Sequence, residues 1–201
     1  MSSENRKTIL YLHGFASGAK SLTVKILKKE TAQTHTIAAF DLSHDPHKSL
    51  EKIKNYLQHN SVDLIVATSL GAYYALCLDV NIPKLLFNPA FKPQETLRQF
   101  VGWNNYFVER ENPQEKGFYF TESDLEPYES LHPVYATEQD TIILSSLDTV
   151  INRSLEQNAD ILANLLYDKH VHLKTTNLCG HSMSAEFIKT ELLNEIRKIG
   201  L

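Results

Sequence analysis

Two cysteines, Cys77 and Cys179, are too few for a disulfide framework, and a reduced, cytoplasmic protein is the simpler reading. Long apolar runs are missing as well. Behind the polar start Met1-Ser2-Ser3-Glu4-Asn5-Arg6-Lys7, the first apolar run extends only from Ile9 to Leu12 before His13 interrupts it, which is too short for a signal-peptide core. No window approaches the roughly 18 apolar residues of a spanning helix, so a soluble chain with no integral membrane association is expected. There is no excess of positive charge either: 20 Lys and Arg stand against 24 Asp and Glu, a formal net charge of -4. Nucleic acid and anionic membrane surfaces call for the opposite balance. Internal repeats and low-complexity segments are absent.

What is present is enough apolar material for one core: 42% of 201 residues are hydrophobic, which suits a single domain over residues 1–201. Short apolar runs alternate with amphipathic stretches. Strands are expected at 8–12, 35–42, 63–68, 84–87, 141–146 and 170–175. Helices are expected at about 19–31, 50–57, 70–78, 93–101, 154–167 and 184–199, with Pro93 in the first turn of its helix, where a missing N–H costs nothing. Strands alternating with helices imply an α/β fold with a mostly parallel sheet covered on both faces. From 102 to 139 the periodicity fades and aromatics accumulate, including Trp103, Tyr106, Phe107, Phe118, Tyr119, Phe120, Tyr128 and Tyr135. This segment is read as a cap-like insertion whose rings either shape an apolar acyl pocket or pack the insertion onto the sheet.

The centre of the chain is Asp63-Leu64-Ile65-Val66-Ala67-Thr68-Ser69-Leu70-Gly71-Ala72-Tyr73-Tyr74-Ala75-Leu76, where a β-type run breaks at Ser69 and continues as a helix. A strand, a small-x-Ser-x-Gly turn and a helix are the parts of a nucleophile elbow. Ala67 stands where such elbows have their first glycine, one methyl more than the tight turn prefers. A serine hydroxyl needs a general base, and the base needs an acceptor that fixes its tautomer. Ligands of parallel sheets bind beyond the carboxyl ends of the strands, which places His13, Asp41, Ser69, Asn88, Asp148 and His181 on one edge. Asp148 follows the 141–146 strand and His181 follows the 170–175 strand, giving the chain order Ser69, Asp148, His181 of α/β-hydrolases. The oxyanion donors expected are the N–H of Leu70 and the N–H of Phe15, with His13 and Gly14 supporting the loop after the first strand.

The motifs Tyr11-Leu12-His13-Gly14-Phe15, Ser69-Leu70-Gly71-Ala72-Tyr73-Tyr74-Ala75, Asn88-Pro89-Ala90 and Gly180-His181-Ser182 together resemble the small bacterial esterases of the YqiA type, within the α/β-hydrolase superfamily. The resemblance spans nearly the whole chain and is least in 102–139. It implies a compact α/β-hydrolase fold and esterase or thioesterase activity on a small acyl ester or thioester, without a cofactor. By motif position it implies Ser69 as nucleophile, Asp148 as acid and His181 as base.

Competing readings are bland. Ser69 can serve as a helix N-cap, His181 as a loop histidine, Asp148 as a turn residue and Asp41 as the anchor of its own loop. His44, His47, His170 and His172 raise metal binding, but each pair lacks a third ligand nearby, so no metal is expected. Cys77 is expected in the core, and Cys179 in the core or behind His181. Gly14 to Ser21 lacks the glycine and lysine spacing of a phosphate-binding loop. The functional alternative is a binding module that keeps a hydrolase fold without turnover.

Overall fold

Near-continuous apolar strands need cover on both faces, and the register delivers it. The computed structural model describes residues 6–133, 135–150 and 159–200. Strands β1 (Lys7–Leu12), β2 (His35–Ala39), β3 (Leu64–Thr68), β4 (Lys84–Phe87), β7 (Thr141–Ser145) and β8 (His172–Thr176) form one sheet in the order β2-β1-β3-β4-β7-β8, every pair parallel. Successive side chains alternate between its faces. Leu10, Leu12, Ile65, Ala67, Leu86, Ile142 and Leu144 point to one core, together with Leu50 and Ile53 of α2 (Pro46–His59) and all of α3 (Leu70–Leu76) except Gly71. Ile9, Tyr11, Leu64, Val66, Leu85, Phe87 and Ile143 point to the other. There they meet Val24, Ile26 and Leu27 of α1 (Leu22–Glu30) and Phe187, Ile188, Leu192, Leu193 and Ile196 of the last helix. The expected α/β architecture with helices on both faces is therefore the observed one.

Element ends depart from the periodic pattern where side chains intervene. Helix α1 starts at Leu22 because Ser21 caps it, its Oγ accepting from the Val24 N–H. Helix α2 starts four residues before the expected 50, at Pro46: Asp45 accepts from the N–H groups of His47 and Lys48, and Pro46 takes the first helical position. Strand β2 stops at Ala39 rather than 42 because the next amides bond to side chains: Asp41 N–H to Glu111 Oε2 and Leu42 N–H to His13 Nε2. Strand β8 starts at His172 because His170 has a φ of 56°. The helix expected over 93–101 is one turn, α4 (Pro93–Thr96), followed by a 3-10 turn, Arg98–Phe100.

Of the helix expected over 154–167, residues 154–158 lie outside the described residues; the rest is α6 (Ala159–Ala163) continued by a π-helical stretch, Asn164–Asp168. The last helix, α7, runs as Ala185–Phe187, a π-helical stretch Ile188–Leu192, and Leu193–Lys198.

Segment 102–139 holds a second, antiparallel sheet in which β5 (Gly102–Asn105) pairs with β6 (Gly117–Phe120), and a short helix α5 (Glu126–Glu129). Two buried polar devices join it to the sheet. Tyr73 donates to the Tyr128 carbonyl, and the Tyr128 hydroxyl meets that of Tyr74 and donates to the His44 carbonyl. At the foot of β4, Lys84 pairs with Asp140 at 3.3 Å and donates to the Tyr135 carbonyl, although both charges are fully buried.

Candidate active site

Ser69 follows the last residue of β3 and precedes the first residue of α3 with φ 52° and ψ -118°. A non-glycine residue held there costs on the order of 1 to 3 kcal/mol and has to be fixed by its surroundings. Here the Ser69 N–H donates to the Phe87 carbonyl (2.9 Å), while its carbonyl accepts from Tyr73 and Ala90. Gly71 shows why the turn needs a small residue after the serine: a Cβ there would lie 2.3 Å from the Leu12 carbonyl oxygen and 2.6 Å from that of His13. Ala67 keeps its place in β3, paired with Leu12 and Leu86, so the methyl at the first elbow position does not prevent the turn. Ser69 sits at the N-cap position but makes no side-chain cap bond.

Its hydroxyl turns instead to His181, whose Nε2 lies 3.0 Å from Ser69 Oγ. The other ring nitrogen, Nδ1, lies 2.9 Å from Asp148 Oδ2. A carboxylate accepts, so the Nδ1 proton faces Asp148 and leaves the Nε2 lone pair toward the serine hydroxyl. Asp148 is almost wholly buried and His181 about a quarter exposed. The second carboxylate oxygen, Oδ1, accepts from the Val150 N–H at 2.7 Å.

Asn88, expected only as a residue of this edge, ties together the segments that end β7 and precede His181. With φ 43° after β4, its Oδ1 accepts from the Ser145 N–H at the end of β7. Its Nδ2 donates to the carbonyls of Gly180 (3.2 Å) and His181 (3.4 Å). The signal for such a role was present: asparagine before proline at a strand end tolerates a left-handed backbone and bonds locally. Ser145 adds a bond from its hydroxyl to the Cys179 carbonyl.

His13, expected to support the loop after β1, is buried and bonded on both sides. Its Nδ1–H donates to the Gly14 carbonyl (2.8 Å), and its Nε2 accepts the Leu42 N–H (2.8 Å). One neutral tautomer satisfies both bonds. Burial holds the ring neutral, lowering its pKa to about 4, with the Gly14 bond opposing the shift. Because a trans peptide is planar, fixing the Gly14 carbonyl also fixes the opposite direction of the Phe15 N–H. Gly14 itself borders the serine: a Cβ there would lie 3.2 Å from Ser69 Cβ. Leu70 opens α3, where the first N–H groups have no partner within the helix.

Ser69 and His181 open into a cleft of about 480 Å³ lined on one side by Phe15, Ala90, Leu97, Phe100 and Phe107 and on the other by Tyr11, Thr23 and Met183. The rings of the aromatic segment take different places. Phe118 and Phe120 pack on Phe15, with centroids 5.3 Å from its ring, whereas Phe107 lines the cleft and is largely exposed. Trp103 and Tyr119 face each other across the hairpin on its outer side and are also exposed.

The remaining chemistry-bearing residues take other roles. Asp41 accepts from the Ala19 N–H (2.8 Å) and the Glu111 N–H and pairs with Arg110 at 3.3 Å, so it anchors two loops. His44 stacks on Phe118 with centroids 4.5 Å apart, and burial lowers its pKa. His47 lies in the first turn of α2 and His172 begins β8. Among the described residues no three His, Cys, Asp or Glu side chains are grouped to hold a metal ion. Burial pushes the Cys77 thiol up to about 12, and also raises that of Cys179. Lys20, in the loop compared with a phosphate-binding sequence, pairs with Glu109 at 3.0 Å. No helix among the described residues is long and apolar enough to cross a membrane.

Comparison with solved structures agrees with this architecture. Mouse alpha/beta hydrolase domain-containing protein 10 aligns over 96% of this chain and 89% of its own, with a TM-score of 0.65 and 13% identity. Est1E from Butyrivibrio proteoclasticus, solved with ferulic acid bound, aligns over 95% and 90%, with a TM-score of 0.64 and 12% identity. The esterase domain of a Rhodothermus marinus protein aligns over 98% and 90%, at 0.62 and 15%. At these identities the likeness establishes the α/β-hydrolase fold. Residues 8–172 match the family described as "Uncharacterised protein family (UPF0227)". The chain therefore belongs to the UPF0227 family, the family of the small YqiA-type esterases that its motifs resemble.

Proposed function

We propose that this protein is a serine hydrolase that cleaves carboxylic esters or thioesters through an acyl-enzyme. The observation that carries the reading is His181 lying between Ser69 Oγ (3.0 Å) and Asp148 Oδ2 (2.9 Å), at the mouth of an apolar cleft. Ser69 Oγ attacks the carbonyl carbon as His181 Nε2 takes its proton. Asp148 stabilises the imidazolium that forms. The N–H groups of Leu70 and Phe15 receive the developing oxyanion, each such donor contributing roughly 3 to 4 kcal/mol. His181 returns the proton to the leaving oxygen or sulfur, then activates the water that releases the acid. No step requires a cofactor or metal.

Segment 102–139 is proposed as a cap within a single domain, with Phe100 and Phe107 beside the acyl group. Est1E, a protein of the same fold, has been solved with ferulic acid, a small carboxylic acid, bound. Two buried, unpaired cysteines fit a reduced, cytoplasmic setting. The test is turnover of p-nitrophenyl esters and acyl-CoA thioesters of graded acyl length by wild type and Ser69→Ala. Wild type hydrolyses part of the panel, and the variant loses about 10⁴-fold or more in kcat while keeping its fold. Retained activity in Ser69→Ala contradicts the mechanism, and an inert wild type favours a binding module.

A further inference from the structure

The loop that carries the Phe15 N–H is held from outside the sheet. Along it, the Ala16 carbonyl accepts from the Phe107 N–H (2.8 Å), the Ser17 carbonyl accepts from Arg110 Nη1, and the Ala19 N–H donates to Asp41 Oδ1 (2.8 Å). Phe107 and Arg110 both belong to the segment between β5 and β6. Arg110 is nearly buried and spans two loops, because its Nη2 donates to the Leu42 carbonyl (2.8 Å) while Nε lies 3.3 Å from Asp41 Oδ2. Its guanidinium carbon sits 4.3 Å from the centre of the Tyr106 ring. Leu42 is also the residue whose N–H meets His13 Nε2, and His13 in turn holds the Gly14 carbonyl. A continuous set of bonds thus runs from Arg110 through Leu42 and His13 to the peptide unit that contains the Phe15 N–H.

We propose that Arg110, supplied by the aromatic insertion, is a positioning residue for the oxyanion loop, so that turnover depends on the insertion being docked against residues 14–19. The proposal rests on the serine hydrolase reading above. Arg110 is absent from the lining of the cleft that holds Ser69 and His181; it lines a separate, polar cavity with Asp41, Tyr106 and Glu111. Its removal therefore takes away no contact of its own with the substrate and disturbs the direction of one donor. Loss of an interaction made only in the transition state lowers kcat and kcat/KM together, whereas a lost substrate contact raises KM. A planar guanidinium reaches two carbonyls and a carboxylate at once, and a lysine ammonium does not reproduce that fork.

The test uses the full chain with Arg110→Met and Arg110→Lys, active sites titrated with a fluorophosphonate so that rates refer to folded protein. On p-nitrophenyl butyrate both variants lose roughly 10- to 100-fold in kcat with KM within about twofold, and phosphonylation of Ser69 slows in proportion. If Arg110→Met fails to fold, Arg110→Lys, which keeps the positive charge beside Asp41, decides the matter. Turnover per titrated site close to wild type, or a loss confined to KM, overturns the proposal and leaves the hydrolase reading standing. Wild-type protein that neither turns over nor labels overturns both.

Discussion

The sheet edge and the aromatic insertion meet at the cleft, yet they are held by different physics. Ser69, Asp148 and His181 follow β3, β7 and β8; β3 and β7 are buried along almost all of their length, and β8 is the polar edge strand paired in parallel with β7. Their positions follow from parallel pairing, with turns at Ser69 and Asn88 locked by backbone bonds. The insertion has two four-residue strands, and its order depends on side chains: the Phe15, Phe100, Phe118 and Phe120 rings, the Tyr73, Tyr74 and Tyr128 hydroxyls, and the Arg110–Asp41 pair. The difference separates chemistry from its support. The proposed proton transfer uses groups fixed by the sheet, whereas the proposed aim of one oxyanion donor relies on a segment fixed by rings and ions.

Asp148→Asn strikes the sheet edge alone and should have a large effect, second to that of Ser69→Ala. An amide in place of the carboxylate disturbs the His181 tautomer, and kcat should fall about 10³- to 10⁴-fold. Near-UV circular dichroism from the aromatic insertion should stay as in wild type. A parallel loss of that signal would break the division between the two regions.

Gly71→Ala tests the contact between the helix that follows Ser69 and the end of β1 with the loop after it. The added Cβ meets backbone carbonyl oxygens, at 2.3 Å for Leu12 and 2.6 Å for His13, and these have no flexible end to move aside. A loss of about 2 to 4 kcal/mol in unfolding free energy is expected, measured by urea titration. A stability change under about 0.5 kcal/mol would mean that α3 and β1 can part at this point without cost.

A comparable effect, spread over a pH range, is on pH dependence. His13 has a folded pKa of about 4 against an ordinary 6.5. The unfolded chain therefore takes up a proton that the folded chain refuses. The His13 contribution is fully present above about pH 6.5 and falls as pH drops toward 4, by about 3 kcal/mol in total. Urea titrations at pH 7.5, 5.5 and 4.5 should give a steeper decline for wild type than for His13→Gln. Equal slopes would place the His13 titration outside the folding equilibrium and weaken its role as the neutral latch between the β1 and β2 loops.

Much of this was legible in the sequence for a physical reason. Strands buried on both faces read as apolar runs, so β3, β4 and β7 stood out, and the residues just past their ends were the natural places for a nucleophile and its partners. Other features have only weak local signals. Arg110 and Asp41 are far apart in the sequence, with α2, β3, α3 and β4 between them, and neither has neighbours that mark it as buried. Lys84 before an apolar run reads as solvated, although it lies in the core beside Asp140. The hairpin of Gly102–Asn105 with Gly117–Phe120 has strands too short, and a loop too long, to give a period. Asp45-Pro46 carries a helix-start signal, an N-cap acceptor followed by proline at the first helical position, and it sits between two histidines whose spacing also suits a metal pair.

The most direct test of the central claim is reaction of the folded full-length chain with a fluorophosphonate, followed by intact mass and peptide mapping. The account predicts one adduct, on Ser69, absent from Ser69→Ala and from urea-unfolded protein. A folded protein that stays unlabelled, or that carries its adduct on another residue, would contradict it.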